Sequence, residues 1–202
     1  MEEASRLGLK VAAHAHGTQG INAAIVAGVA SIEHGSILSD ESIRLLKKHG
    51  TYLVPNLYIN NIELPPDTPE KVRRRSEFLQ PIVVESLHKA IKAGVKMAFG
   101  TDSGVYRHGD NGREFSALVA NGVAPLEALR MSTIYAADLL GVDDRGEILP
   151  GKLADIIAVG GNPLTDIEVM ENVGFVMKGG KVYKSDHSIY QSSVSPIILG
   201  LY

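Results

Sequence analysis

Three side chains able to bind a metal ion stand at the ends of segments with the pattern of short β-strands. His14 ends the segment Leu9–His14, His34 ends Ala30–His34, and Asp102 directly follows Val95–Thr101. Imidazole nitrogen and carboxylate oxygen are suitable ligands for zinc and similar divalent ions. The three residues lie far apart in the sequence, so only the folded chain can bring them together.

Each of these residues also has an ordinary structural explanation. A histidine in a turn rich in Ala and Gly is commonly a hydrogen-bonded structural residue, and an aspartate after Gly100 and Thr101 is commonly a helix N-cap. Potential ligands at equivalent ends of successive strand–helix units nevertheless favour a metal site over capping alone. We therefore expect a metal site built from two imidazoles and a carboxylate.

A repeated strand–helix pattern must position these side chains. Such alternation predicts an α/β fold with a parallel sheet, in which ligand-binding groups gather at the carboxyl ends of the strands. A third strand is predicted at Thr51–Asn56. The predicted helices are Thr18–Gly28, Asp40–Gly50 with Asp40 as its cap, Pro69–Gly94, Glu114–Ala120 and Pro125–Leu140.

The pattern changes after Gly141 and divides the chain into two predicted parts. A strand is expected at Ile156–Val159, and Gly174–Tyr183 has the pattern of a hairpin around the Gly179–Gly180 turn. We therefore expect a strand–helix body over residues 1–141 and a small β-rich part with a tail over 142–202.

Composition excludes several classes of protein. The 20 Lys and Arg against 23 Asp and Glu give a formal net charge of −3, which argues against a nucleic-acid partner. The absence of cysteine excludes thiolate ligands and a thiol nucleophile. An acidic start and the lack of a long apolar run predict a cytoplasmic protein without a membrane partner. The basic run Lys71–Arg75 is interpreted as a solvated face.

The motifs around the three candidate ligands resemble the amidohydrolase superfamily. They are Val11–Gly17 (VAAHAHG), Ser31–Gly35 (SIEHG) and Phe99–Gly104 (FGTDSG). The resemblance is to the branch of imidazolonepropionase-like hydrolases and Xaa-Pro dipeptidases. The segment Gly146–Ile157 (GEILPGKLADII) is similar to the strands with which these enzymes complete a β-sandwich.

The resemblance implies a fold and a set of site residues. The fold would be a partial TIM-type (β/α)8 barrel containing strands five to eight, with a small carboxyl-terminal β-sandwich portion. His14 and His34 would bind metal at the ends of strands five and six, and Asp102 would bind metal and act as the catalytic proton shuttle at strand eight. The implied cofactor is zinc or another divalent cation such as manganese, with one ion at most. The implied substrate contacts, each with a packing role as the alternative, are His16, Tyr58, Arg107 and His108. His16 is also the alternative to His14 as the metal ligand, and His14 is preferred because the family pattern places the ligand first.

The family pattern also includes a His-x-His pair on strand one and, in two-metal members, a carboxylated lysine on strand four, for which this sequence has no counterpart. We therefore expect an oligomer or a partner chain to cover the open barrel edges. The expected activity is metal-dependent hydrolysis of an amide or peptide-like C–N bond in a small or dipeptide-like substrate. One alternative is a truncated, catalytically silent half-barrel that acts as an interaction module or subunit. The other is a misassigned start or a split reading frame.

Overall fold

The computed structural model describes residues 1–186 and 197–200. Within these residues the strands form a three-stranded parallel sheet in the unit Met1–Asp102 and a four-stranded antiparallel sheet in the unit Ser103–Tyr202. The predicted α/β class is confirmed. None of the helices in the described residues combines the length and apolar character needed to cross a membrane.

The first unit consists of strand–helix repeats. The parallel sheet has the order β1-β2-β3, with Ala13 beside Ile32 and Ile32 beside Leu53. The elements are α1 (Glu2–Arg6), β1 (Ala12–Ala15), α2 (Thr18–Ala27), β2 (Ser31–His34), α3 (Asp40–His49), β3 (Tyr52–Val54), a 3-10 helix (Tyr58–Asn61) and α4 (Glu70–Ala93).

Local signals set the ends of α3. The side chain of Ser39 accepts a hydrogen bond from the backbone N–H of Ser42, and the Ser42 side chain returns to the Ser39 backbone, which is a capping box. Gly50 ends the helix in the left-handed conformation. The predicted helix is therefore confirmed, but the expectation that Asp40 is its cap is wrong, because Ser39 provides a hydroxyl one residue earlier.

The core of the first unit lies between the sheet and its helices. Ile21 and Ile25 of α2, Ile32 of β2, Leu46 of α3 and Leu53 of β3 are almost completely buried in one cluster. Because side chains alternate along a strand, residues of odd and even position in β2 face opposite sides of the sheet. Ile32 therefore marks the side covered by helices, and its neighbours Ser31 and Glu33 face the other side.

The predicted strand Val95–Thr101 is reduced to a single bridge. Met97 pairs with Leu53 in parallel, through hydrogen bonds from Leu53 N to Lys96 O (2.9 Å) and from Ala98 N to Leu53 O (3.1 Å). Beyond Ala98 the chain leaves the ladder, and Asp102 is left-handed with a φ of 48°. The segment still lies beside β3, which keeps Asp102 at the same edge of the sheet as the ends of β1 and β2.

The second unit combines short helices with an antiparallel sheet, whose strands lie in the order Lys181–Ser185, Val173–Lys178, Ile156–Val159 and Ile197–Gly200. Gly179 and Gly180 both have positive φ and form the predicted hairpin turn, and the buried carboxylate of Asp155 accepts a hydrogen bond from Gly179 N at 2.7 Å. The domain division predicted at residue 141 stays a prediction. The elements are a 3-10 helix (Asp110–Gly112), α5 (Arg113–Ala120), α6 (Pro125–Met131), α7 (Ile134–Leu140), β4 (Ile156–Val159), a 3-10 helix (Ile167–Glu171), β5 (Val173–Lys178), β6 (Lys181–Ser185) and β7 (Ile197–Gly200).

The single helix predicted at Pro125–Leu140 is wrong, because the chain breaks it into α6 and α7. The hydroxyls of Ser132 and Thr133 donate to the carbonyl of Leu129, at 2.9 Å and 2.7 Å. Such side-chain hydrogen bonds compete with the helical backbone for the same carbonyl group. Thr133 accordingly leaves the helical conformation, with φ −128° and ψ −98°.

Candidate metal centre

Three imidazole rings, here called the histidine cluster, meet at the carboxyl ends of β1 and β2. They belong to His14 in β1, His16 just after it, and His34 at the end of β2. The ring centroids lie 4.6 Å apart for His14 and His16, 4.6 Å for His14 and His34, and 4.8 Å for His16 and His34. One potential ligand nitrogen from each ring lies within 4.8 Å of the others.

A left-handed backbone brings His34 into this cluster. In the sheet His14 is level with Glu33, so regular alternation would place His34 on the opposite, helix-covered side with Ile32. His34 instead has a φ of 67°, which interrupts the alternation and allows its ring to contact His14. This conformation costs on the order of 1–3 kcal/mol for a residue other than glycine, and such strain clusters at functional sites.

Hydrogen bonds join the two loops that carry the histidines. Gly35 N donates to Ala15 O at 3.1 Å, and Ile37 N donates to His16 O at 3.0 Å. The Nδ1 atom of His16 lies 2.8 Å from the hydroxyl of Ser36. The orientation of the His16 ring is therefore set by the neighbouring loop, and Nε2 is the nitrogen that remains available to a ligand.

The Asp102 carboxylate lies next to the cluster. Its Oδ2 atom is 3.9 Å from His34 Nε2, and its side chain is 46% exposed against 10% for His34. Ligand atoms of a tetrahedral zinc ion lie about 3.3 Å apart for bonds of about 2.0–2.1 Å. The three histidine nitrogens lie within 4.8 Å of one another, and the one printed distance to the carboxylate is the 3.9 Å between Asp102 Oδ2 and His34 Nε2. The three imidazoles are a group that could hold a metal ion, and the Asp102 carboxylate beside them has the donor chemistry of such a site.

Burial and neighbouring charges favour the neutral form of two histidines. Burial lowers the pKa of His34, the positive charges of His16 and His14 lower it further, and the Asp102 carboxylate opposes them. Burial also lowers the pKa of His16, with added contributions from His14 and Arg75. Neutral imidazole is the metal-binding form, so the site favours binding. Arg75 belongs to the predicted solvated face and is exposed, yet its charge reaches His16.

We expect the metal-free chain to lose stability as the pH falls through the interval between the ordinary histidine pKa, about 6.5, and the lowered pKa values of His16 and His34. In the unfolded chain, His16 and His34 take up protons near a pKa of about 6.5. In the folded chain they stay neutral until the pH falls to their lowered pKa. The free energy of unfolding therefore decreases through this interval and levels off below the lowered pKa. Urea denaturation in the presence of a chelator, repeated across the pH range, measures it.

The contribution of His34 can be isolated by comparing pH dependences. The variant His34→Gln removes one of the shifted groups, so its unfolding free energy should decline less steeply with acid than that of the unchanged chain. His88→Gln removes an exposed histidine of α4 outside the cluster and is the matched control for the substitution itself. Equal slopes for His34→Gln and the unchanged chain would show that His34 does not contribute.

Gly35 supports the left-handed turn after His34, and its replacement should be costly. Gly35 has a φ of 57°, and a Cβ atom there would lie 2.4 Å from Leu53 Cδ1 in the core. Gly50 has a φ of 67° but no atom of the described chain within 4 Å of the corresponding position. We expect Gly50→Ala to destabilise the chain by about 1–2 kcal/mol through backbone strain alone. Overpacking should add about 1–3 kcal/mol for Gly35→Ala.

Urea denaturation of the two glycine variants under identical conditions measures this difference. Both replacements introduce alanine at a left-handed position, so the comparison isolates the contact with Leu53. Equal free energies of unfolding for the two variants would contradict the predicted clash.

The remaining predicted site residues lie outside the histidine cluster. Tyr58 begins the 3-10 helix after β3 and is half-buried. Arg107 and His108 belong to the second unit and are exposed, with His108 Nδ1 3.4 Å from the Ser103 hydroxyl. Their roles as substrate contacts stay predictions, as do the separate roles of His14, His16, His34 and Asp102.

Sequence reasoning missed two residues that border the site. Ser36 holds the ring of His16, and a serine in a turn carries no distinctive signal of such a role. Asn56 follows β3 with a φ of 49° and is buried. Asparagine is one of the few residues that readily adopt the left-handed conformation, so its place at the end of a predicted strand was a usable signal.

The chain matches known amidohydrolases over most of its length. The sequence profile of the amidohydrolase family matches residues 1–183. The ochratoxinase of Aspergillus niger is 36% identical over 193 residues, which cover 91% of this chain and 40% of that protein. This agrees with the resemblance seen in the motifs.

Solved structures give the same result. A Xaa-Pro dipeptidase with bound methionine in its active site has a TM-score of 0.86 and 42% identity, covering 91% of this chain and 47% of that one. A prolidase complexed with N-methylphosphonate-L-proline has a TM-score of 0.80 and 30% identity, covering 92% and 47%. The chain spans less than half the length of these relatives. Because the family profile covers nearly all of its sequence, the chain belongs to the amidohydrolase family.

Proposed function

We propose that this chain carries metal-binding and catalytic residues of a hydrolase that cleaves an amide or peptide-like C–N bond in a small or dipeptide-like substrate. The observation that carries the proposal is the position of His34. Its ring contacts those of His14 and His16, and its Nε2 atom lies 3.9 Å from Asp102 Oδ2. Relatives named as a Xaa-Pro dipeptidase, a prolidase and an ochratoxinase support the same class of reaction.

One zinc or manganese ion would be held by His14, His34 and Asp102. His16 offers a further nitrogen in the same cluster and is the alternative ligand, with substrate contact as its other role. His34 is a ligand whether His14 or His16 completes the set. When bound, such an ion supplies Lewis acidity, which makes water nucleophilic near neutral pH and polarises a carbonyl group. The half-barrel numbering, with His14, His34 and Asp102 after strands five, six and eight, is part of this proposal.

Asp102 is the proposed proton carrier. Its carboxylate is much more exposed than His34, so solvent and substrate can reach the oxygen that does not face the imidazole. It accepts the proton of the attacking water as the C–O bond forms. It then returns this proton to the nitrogen as the C–N bond breaks, so the products are a carboxylic acid and an amine.

The neighbouring residues select the substrate in this proposal. The positive charge of Arg75 acts on His16, and a cation at this position favours a substrate with a free carboxylate, as in a dipeptide. Tyr58, Arg107 and His108 are the other proposed contacts. We therefore expect the chain to hydrolyse acyl-proline dipeptides in preference to small cyclic amides.

A partner chain or oligomer is proposed to cover the open sheet edge. Within the described residues β1 pairs only with β2, and Ala12 and His14 of β1 are exposed. An unpaired strand edge favours association with another strand. Size-exclusion chromatography with light scattering measures the assembly.

The proposed function is tested by metal analysis together with an activity assay. The chain is expected to bind up to one zinc or manganese ion and to release the free amine from an acyl-proline dipeptide. A chain that binds no ion contradicts the proposal. A stable oligomer that binds no metal and shows no turnover would instead support the silent interaction module, which the family membership does not favour.

A further inference from the structure

The side chain of Asn56 contains a buried oxygen that has no hydrogen-bond partner in the part of the chain that the structure describes. Asn56 is 3% exposed, and within the described residues its Oδ1 atom has no hydrogen-bond partner. A buried polar atom of this kind lowers stability, because it loses water without gaining another partner. The left-handed backbone favours asparagine over an aliphatic residue at this position, but it does not account for an amide oxygen that is buried without a partner among the described residues.

Asn56 also has a strained backbone, which it shares with two residues of the proposed site. In the described part of the chain, the residues other than glycine with positive φ are His34, Asn56 and Asp102. Strained backbones tend to collect at functional sites, where the surrounding structure holds them. Two of these three belong to the proposed metal site, which points to the third as part of the same structure.

The sheet order explains how Asn56 comes to lie between the other two. β3 is flanked on one side by β2, which ends at His34, and on the other by the segment that bridges through Met97 and continues to Asp102. Asn56 follows two residues after the end of β3. It therefore stands at the strand end between the histidine and the carboxylate.

The amide of Asn56 packs directly on the chain that leads to Asp102. A Cβ atom at Gly100 would lie 2.5 Å from Asn56 Oδ1 and 2.3 Å from Val54 Cγ1. Only a glycine can approach the amide this closely. The side chain of Asn56 thus limits the paths open to the backbone of Gly100–Asp102.

We propose that Asn56 is a positioning residue, which holds the backbone of Gly100–Asp102 so that the Asp102 carboxylate stays beside His34. This inference rests on the proposed metal site. Asn56 touches neither substrate nor metal in this role, and it acts through the distance between Asp102 and the histidine cluster. The unsatisfied oxygen and the left-handed backbone are retained because they shape the site, at a cost to stability.

The test compares zinc binding by the unchanged chain, Asn56→Gly and Asn60→Gly. Glycine keeps the left-handed backbone accessible at position 56 while removing the amide. Asn60 is an exposed asparagine in the following 3-10 helix and controls for the same chemical change. Asn56→Gly is expected to weaken zinc binding by about 10–100-fold, as is typical when a group supporting a ligand is lost. Asn60→Gly should stay within about twofold of the unchanged chain, because its side chain supports no ligand.

A spectroscopic measurement separates positioning from general loosening. Cobalt(II) in place of zinc gives visible absorption that depends on ligand number and geometry. Asn56→Gly is expected to change this absorption per bound ion, whereas a purely structural role would lower occupancy without changing the spectrum. Asn56→Ser, which also removes the amide oxygen that lies against Gly100, should show the same change and decides the matter if the glycine variant does not fold.

The outcomes distinguish this inference from the proposed function. Unchanged zinc affinity and an unchanged cobalt spectrum in a folded Asn56 variant would overturn the inference alone. An unchanged chain that binds neither ion would overturn the metal site and the inference with it. Weaker binding with an altered spectrum in the Asn56 variants, and neither in Asn60→Gly, supports the positioning role.

Discussion

Replacing His34 with alanine is expected to abolish the proposed metal binding and hydrolysis. His34 contacts His14 and His16 through its ring and lies 3.9 Å from Asp102, so it is common to every ligand set the cluster can offer. Loss of a group that merely supports a ligand costs about 10–100-fold in metal affinity. Loss of the central ligand should exceed about 100-fold, and equilibrium dialysis with metal analysis measures it.

Two further variants exclude a trivial explanation. His34→Gly removes the imidazole but keeps the left-handed backbone accessible, so it should lose metal as fully as His34→Ala without added strain. His49 is an exposed histidine at the end of α3, and His49→Ala should bind metal normally. Retained zinc binding by folded His34→Gly would refute the central role of this residue.

The repeated elements of the first unit could be predicted because their signals are local. Gly28 and Gly50 end α2 and α3 in the left-handed conformation, and glycine marks such ends in the sequence. The apolar residues of β2 and α2 recur at the spacing that buries Ile32 against Ile21 and Ile25. Because these signals also fix where the strands end, the sequence predicts that His14, His34 and Asp102 lie at one edge of the sheet.

The details of the site depend on contacts that the sequence does not state. Val95–Thr101 has the composition of a strand, yet Gly100 packs against Val54 and Asn56 and the segment keeps only the Met97 bridge. The left-handed backbone of His34 places its ring on the side of the sheet opposite to the one that strand alternation predicts. The orientation of the His16 ring within the cluster is equally hard to predict, because it depends on a contact with Ser36 in the next loop.

Replacing Asp102 with asparagine is expected to separate catalysis from metal binding. Asparagine keeps the shape of the side chain and one oxygen able to ligate, but it cannot accept a proton from water near neutral pH. Loss of general acid–base catalysis typically costs about 10²–10⁴-fold in rate. We expect kcat to fall by about this factor, while the metal content falls much less than in His34→Ala. Steady-state kinetics on an acyl-proline dipeptide, at matched metal occupancy, measures the difference.

The leaving group provides a sharper test of the same role. The returned proton matters most when the departing nitrogen is strongly basic, so the deficit of Asp102→Asn should shrink for an anilide, whose nitrogen leaves with less need of protonation. Asp67 is exposed in the loop before α4, and Asp67→Asn should behave as the unchanged chain on both substrates. If Asp102→Asn were equally slow on dipeptide and anilide, proton return to nitrogen would not be its contribution. If it also lost the metal as completely as His34→Ala, Asp102 would act in this site as a ligand, and the proton would have to be carried by another group.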